Sequence, residues 1–496
     1  MAVPIKTIST AIAGVGLSGG LGYYYLNNKR TQEPTKSLNT TATVKQNRNS
    51  QFYDPRPFKQ LTSEEIDSRL RAGQIVNKSS IQRVKAIYTT RMASNNPVED
   101  NYSINTIDGN KLIAGVYDGH IGPNCSEMIK TQLPIYVARQ LRESTKEGEA
   151  QQRKEDIIST AFETLDQDIQ QRFYDLFPKN VAGVTEKQIQ DAISKNPNAD
   201  KIIKEAITGS CACAVYLDGD DLYAANTGDS RVVIIRQEED GSWTGRRLVE
   251  EESPAHPAWR SHMISQHPPN ESGAIVQRNR IFGLIAVGGS FGDIMYKVPK
   301  EYQMNVLPYI PYEIYSTFAR YHHRIVVNYH TPPYLYSKPL VTHHKLEKGD
   351  KYVVLGTDGL WDELSWDSVR STDGDQVSAE LMSSWPKDGK DKNAATHLMR
   401  QALLYDVVYK NIGKKLPVSD EGLEMSKRLT REPSRRYRDD ITITVIELNQ
   451  EQEKGQHVIQ EGSGPIMEPK EVDVSEPRLV KSPNSSWYSG WVWSRL

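Results

Sequence analysis

The chain has 496 residues, more than an average single domain holds, so one large domain with insertions and tails, or two domains, is expected. Its 61 Lys and Arg against 63 Asp and Glu leave a formal net charge of -2, which excludes the basic footprint of a nucleic-acid binder and a polybasic membrane surface. Three cysteines, Cys125, Cys211 and Cys213, are too few for a disulfide framework and read as reduced and buried, with Cys211 and Cys213 on one face of a strand-like run.

The first 30 residues form a targeting segment or a membrane anchor. Residues 7–26 carry no charge, contain five glycines and end in Tyr23, Tyr24 and Tyr25, followed by Lys29 and Arg30. The stretch reaches the length of a bilayer span but is weakly apolar, so anchoring and cleavage both stay open. Gly14 to Gly19 (GVGLSG) matches a dinucleotide fingerprint in form only, because no strand precedes it and no acidic partner follows at the required distance. Residues 31–84 read as a polar linker and lead-in.

Strand-forming runs then occur at Lys111 to Tyr117, Ser210 to Leu217, Arg231 to Arg236, Arg324 to Tyr329, Lys351 to Leu355 and Ile441 to Leu448. Helical spacing of apolar residues marks Ser126 to Glu143 and Arg153 to Phe177, and EEDGSWTG (238–245) reads as a hairpin turn on Asp-Gly. Residues 300–340, dense in Tyr and Pro, and 372–436, dense in charge, read as insertions on a core spanning 85–448. The tail, 449–496, carries Trp487, Trp491 and Trp493, side chains suited to a partner, a membrane interface or the chain's own domain.

Acidic turns punctuate this pattern: VEDN (98–101), VYDGH (116–120), NTGDSR (226–231), GTDGLWD (356–362) and RDDIT (438–442). A carboxylate just past a buried strand sits on the sheet rim with its backbone held, and rims distant in sequence can converge on one point. The pattern predicts a polynuclear site for hard divalent cations, which prefer oxygen ligands. Asp118, Asp358 and Asp439 are its leading candidates, and Gly119 lets a carbonyl approach a cation unobstructed. A single such Asp more often caps the following turn or helix; five with a His favour the metal reading.

VEDN, VYDGH, ANTGDSR, FGD, TDGLWD and DDIT stand in the order and approximate spacing of the metal-dependent protein Ser/Thr phosphatase family, type 2C, which the chain resembles over about residues 85–448. NNPVED, ANTGDSRVVIIRQEEDGSWT, NYHTPPYL and RRYRDDITI look like its mitochondrial pyruvate dehydrogenase phosphatase branch. The resemblance implies an α+β fold, a four-layer αββα sandwich of two mainly antiparallel sheets flanked by helices. It also implies two Mg²⁺ or Mn²⁺ ions per site and a third, weaker one. On that basis Asp118 resembles the bridging carboxylate, Gly119 a carbonyl ligand, and Asp358 and Asp439 ligands of the other metal. Glu99 and Asp100 resemble a pair acting through metal-bound water, Asp229 a third-site ligand, and His120 the general acid that protonates the leaving Ser or Thr oxygen as a metal-activated hydroxide attacks phosphorus.

The implied substrate is a phosphoprotein, the pyruvate dehydrogenase E1α subunit, with no nucleic acid and with membrane association through residues 7–26. The implied location is mitochondrial, in the matrix or intermembrane space, with inner-membrane anchoring open. Another mitochondrial substrate, or a catalytically weak regulatory protein, are the alternatives. Several positions depart from the wider family pattern. Ile121 replaces a glycine, Gly288, Gly289 and Ser290 stand where an Arg is usual, Asp440 stands for Asn, and Asn95 stands in place of the phosphate-binding Arg, with Arg91 and Arg231 the nearest replacements in sequence.

Other chemistries fit less well. GGSFG (288–292) resembles a serine elbow, but Asp293 to Pro299 reads as a strand rather than the required helix. No cysteine has Arg six residues on, and His322, His323, His330, His343 and His344 lack a zinc-binding spacing.

Overall fold

Burial alternates along the strands in a way that assigns each residue to one of two faces. In β4 (Lys111–Tyr117), Leu112, Ala114 and Val116 join one apolar layer while Ile113 and Tyr117 join another; in β9 (Arg231–Gln237), Val232 and Ile234 part from Val233 and Ile235 in the same way. A strand whose two faces are both apolar must be covered on both sides. The computed structural model, which describes residues 56–144, 153–312, 321–365, 373–385, 389–409, 420–449 and 459–480, meets that demand with two sheets stacked face to face and helices outside each.

The remaining strands are β1 (Ile75–Lys78), β2 (Val84–Met92), β3 (Asn101–Ile107), β5 (Gly119–His120), β6 (Gly209–Ser210), β7 (Ala212–Asp218), β8 (Asp221–Thr227) and β10 (Trp243–Arg247). They continue with β11 (Val276–Gln277), β12 (Arg280–Ile281), β13 (Phe291–Gly292), β14 (Leu340–Lys345), β15 (Asp350–Gly356), β16 (Ile441–Leu448), β17 (Ile466–Met467) and β18 (Lys470–Glu471). One sheet runs β10-β9-β15-β16-β2-β1-β17 and the other β14-β8-β7-β4-β3-β18. Every pairing within them is antiparallel except β1 with β17 and β3 with β18. The layer between the sheets is aliphatic, including Ile87, Val116, Val215, Val232, Leu355 and Ile446, and full burial of such a side chain stabilises by about 1.5–3 kcal/mol.

Helices Asn124–Glu143, Lys154–Tyr174 and Ala199–Ile207 cover the outer face of the second sheet. Helices Ser63–Arg71, Asp358–Ser365, Gly374–Met382, Ala394–Tyr409 and Glu421–Thr430 cover the first. The αββα expectation holds. Strands predicted at 111–117 and 441–448 match β4 and β16, and the Asp240-Gly241 hairpin forms with Gly241 at φ +84°.

Some readings change. Arg324 to Tyr329 is not a strand: helix His322–Val326 opens it and buries Ile325, and the turn that follows leaves Val327 66% exposed before Tyr329 is buried. An apolar run of this length carries no period that separates the two structures. Asp293 to Pro299 is likewise not a strand but a 3₁₀ turn, Ile294–Tyr296, following β13. Cys211 and Cys213 are free and buried as expected but pack into different layers, because the chain breaks between β6 and β7 at Cys211, whose N–H donates to the Asp118 carbonyl (2.9 Å).

Ordered elements also flank the expected 85–448 span. Helix Ser63–Arg71, closed by a Thr62/Glu65 capping box, buries Ile66 and Leu70, β1 pairs with β2, and residues 466–472 pair with β1 and β3. Residues 7–26 and Trp487, Trp491 and Trp493 lie outside the described residues. Among the described residues no helix is long and apolar enough to cross a membrane.

Candidate metal centre

Strand ends from both sheets deliver the acidic side chains to one rim of the sandwich. Asp118 follows β4, Asp229 lies between β8 and β9, Asp358 opens a helix two residues after β15, and Asp439 and Asp440 lead into β16. One carboxylate oxygen from each of Asp118, Asp229 and Asp358 lies within 4.8 Å of the others. The Asp358 N–H, in the first turn of its helix where donors have no intrahelical partner, faces Asp118 Oδ2 at 3.4 Å. Gly119 is required where it stands: a Cβ there would lie 2.3 Å from the Glu99 carbonyl and 2.7 Å from Ser126 Oγ.

The electrostatics of this rim suit a cation. Burial, then the neighbouring carboxylates, pushes Asp118 and Asp358 well above the usual carboxylate range, and burial does the same to Asp100. Glu99 is pushed up to about 7 and Asp229 to about 6, in each case chiefly by burial. Asp358 Oδ1 is buried without a hydrogen-bond partner. All the charged donors are hard oxygens, and a divalent cation is the group that would offset their repulsion and satisfy that orphaned atom. Asp439 differs from the rest in forming a close ion pair with Arg435, although its charge still acts on Asp118 and Asp358. Asp100, 1% exposed, accepts from Thr357 Oγ1 (2.8 Å), and its charge reaches Asp118.

His120 stands beside this cluster at the end of the short ribbon β13-β6-β5. Its Nε2 lies 2.7 Å from Oδ2 of the fully buried Asp293, which also accepts from Ser290 Oγ (2.6 Å). Burial disfavours the imidazolium, yet the Asp293 carboxylate outweighs that and holds the ring above its usual pKa. Behind the turn, Lys297 Nζ bonds the Ser290 carbonyl (2.7 Å) and Asp166 (2.8 Å). The Ser290 N–H donates to the carbonyl of Tyr336 (2.9 Å), the residue just after the NYHTPPYL segment, which braces the same turn. This network fills the place where Gly288, Gly289 and Ser290 depart from the family pattern. Ile121 adopts φ +68°, a left-handed conformation costly for a β-branched residue, and packs against the outer core.

Sequence reasoning missed Asp293, Asp362 and Arg435. Asp362 was legible, since it lies one helical turn past Asp358; enclosure by surrounding protein, then Asp229 and Asp439, pushes it up to about 7. The two arginines favoured from sequence are engaged elsewhere. Arg231 pairs with Glu251 and Asp375 and lies over the Trp361 ring, and Arg91 donates to the Asp100 carbonyl (2.9 Å).

Asp440 is a structural clasp. Almost fully buried, it accepts from the backbone N–H groups of Ser94 (2.5 Å), Asn95 (2.8 Å) and Glu99 (2.7 Å) and from Asn95 Nδ2 (3.2 Å), fixing the loop that presents Glu99. Asp440→Ala leaves these donors without their acceptor and is expected to destabilise the fold by about 3 kcal/mol, read as a lower denaturant midpoint. Asp440→Asn, which keeps one acceptor oxygen, is expected to cost less.

The family described as protein phosphatase 2C matches residues 79–410. Pyruvate dehydrogenase (acetyl-transferring) phosphatase 1, mitochondrial, from Homo sapiens is 27% identical, covering 78% of this chain and 83% of that protein. Phosphatase 2 of the same description, also from Homo sapiens, is 28% identical, covering 79% and 84%. A serine-threonine phosphatase 2C structure from Toxoplasma gondii superimposes with a TM-score of 0.42 at 14% identity, covering 75% of this chain and 96% of that one.

Proposed function

The chain belongs to the protein phosphatase 2C family and is a protein serine/threonine phosphatase, and from that premise we propose that it works in mitochondria on the phosphorylated E1α subunit of pyruvate dehydrogenase. The observation that carries the chemistry is the convergence of Asp118, Asp229 and Asp358 within 4.8 Å beside a His–Asp pair. The substrate reading is supported by the similarity to two pyruvate dehydrogenase phosphatases along most of both chains.

In this reading Asp118, Gly119 through its carbonyl, Asp358 and Asp439 would hold two Mg²⁺ or Mn²⁺ ions, Glu99 and Asp100 would act through water, and Asp229 would serve a third, weaker ion. When bound, the ions activate water as a nucleophile and offset charge on the phosphoryl oxygens. The protein's own side chains do the rest. Asp293 holds the His120 ring by Nε2, and among the described residues no protein group takes Nδ1, which is left to hand a proton to the departing serine or threonine oxygen. The Asp440 clasp keeps Glu99 against the cleft.

The test is hydrolysis of a phosphoserine peptide from E1α by the purified chain with Mg²⁺ or Mn²⁺, set against phosphopeptides of unrelated sequence. Turnover that EDTA abolishes and that favours the E1α peptide is expected. Folded protein without turnover in either metal would refute the enzyme reading, and equal rates on all peptides would refute the substrate assignment. Protease protection of mitochondria carrying the C-terminally tagged chain decides between matrix and intermembrane space.

A further inference from the structure

A guanidinium stands among the carboxylates of the centre, and none of the arginines singled out from sequence supplies it. Arg435 lies in the 3₁₀ turn Ser434–Arg436, four residues before Asp439, and reaches back to that carboxylate in a close ion pair. Its side chain is 22% exposed, so it is not sealed from solvent. Its charge acts on Asp118 and Asp358 as well as Asp439, and on Glu99.

The groups that sequence offered for the phosphate are occupied. Asn95 binds Asp440 through its backbone and side chain, Arg91 holds the Asp100 carbonyl, and Arg231 is locked between Glu251 and Asp375. A phosphate monoester carries two negative charges into a site rich in carboxylates, and an anchoring cation beside the metals is what such a ligand requires. Arginine suits the task, because its planar fork gives two parallel N–H bonds to phosphoryl oxygens.

We propose that Arg435 is the phosphate-anchoring residue of this phosphatase, held on Asp439 until a divalent cation takes that carboxylate and turned then toward the phosphoryl group of the substrate. The proposal rests on the phosphatase reading and adds to it the residue that grips the substrate. Asp439 cannot give the same lone pairs to a metal and to a guanidinium, so a cation taken up by Asp439 would free Arg435 beside the acidic cluster. The arrangement gives each partner of the ion pair a second use.

Titration calorimetry with inorganic phosphate, in saturating Mn²⁺, tests this on the full chain, Arg435→Ala and Arg435→Lys. The alanine variant is expected to bind phosphate about tenfold to a hundredfold more weakly, and lysine, which keeps the charge without the fork, to fall between. KM for p-nitrophenyl phosphate is expected to rise in the same ratio. Mn²⁺ titrated alone is expected to bind the alanine variant at least as tightly as the parent chain, because a competing cation has been removed. Unchanged phosphate affinity in both variants overturns the proposal, as does a parallel loss of Mn²⁺ affinity, which would make Arg435 an organiser of the metal pocket. Failure of the parent chain to turn over any phosphopeptide strikes the phosphatase reading instead, and thermal melts of both variants exclude misfolding as the cause.

Discussion

Asp118→Asn is expected to lower turnover of a phosphoserine peptide by about a thousandfold while leaving the metal-free protein at least as stable as the parent. The two halves of that expectation share one cause. Asp118 sits where β4 ends, its carbonyl pinned by the Cys211 N–H (2.9 Å) and its side chain facing both the Asp358 N–H and the carboxylates of Asp229 and Asp358. Asparagine keeps the shape and removes one charge. Metal ions contribute several kcal/mol to a phosphoryl displacement, and each ~1.4 kcal/mol lost is a factor of ten in rate.

Stability moves the other way. Folding raises the pKa of Glu99 to about 7 and of Asp229 to about 6, and Asp118 and Asp358 rise as well, from unfolded values near about 4. The folded chain therefore binds more protons than the unfolded chain between about pH 4 and 7, and metal-free stability falls as pH rises through that window. Removing one charge relieves part of the repulsion. In melts at pH 7.5 the parent is expected to gain strongly in Tm from Mn²⁺ over EDTA, and Asp118→Asn to gain little. Asp220→Asn is the control: Asp220 is half exposed in the β7–β8 turn, paired with Arg83 at 3.0 Å, and should change neither quantity. Parent-like turnover in Asp118→Asn would remove that carboxylate from the centre.

How much of this was legible in the sequence depends on what each feature required. The strands read well wherever both faces are apolar, as in β4 and β16, because a continuous run ending in Asp-Gly or beginning after Asp-Asp states both its burial and its end. Residues 324–329 misled because the helix there is five residues long and buries Ile325 alone, while Tyr329 is buried beyond its end. Acidic residues at strand ends were visible one by one, since each sits at a boundary that composition marks. What joins them is tertiary. Asp293 reaches His120 across 173 positions, and no local pattern connects the two. Arg435 belongs to a charged stretch whose composition suggested an insertion on the core, and the turn at 434–436 folds it back onto Asp439.

Asp293→Asn is the second large effect, and its signature is a dependence on the leaving group. The ribbon β13-β6-β5 exists to bring Asp293 and His120 together: Gly209 is paired with both His120 and Gly292, and a Cβ at Gly209 would lie 2.0 Å from His120 Nε2 and 2.3 Å from Asp293 Oδ2. Asp293 itself holds a left-handed backbone at φ +48°, with its carboxylate fully buried and its Oδ2 shared by Ser290 Oγ and the imidazole. An amide there keeps the volume and loses the charge that favours a proton on the ring. A serine alkoxide is a poor leaving group that needs its proton, so kcat for a phosphoserine peptide is expected to fall about a hundredfold to a thousandfold, within the span of general acid catalysis. The phenolate leaving p-nitrophenyl phosphate is already stable without a proton, so its hydrolysis is expected to fall less than about tenfold. Gly209→Ala forces the same pair apart by steric means and is expected to reproduce the split with Asp293 intact. Equal losses on the two substrates in both variants would mean that the ribbon only supports the fold, and that the proton reaches the leaving oxygen by another route.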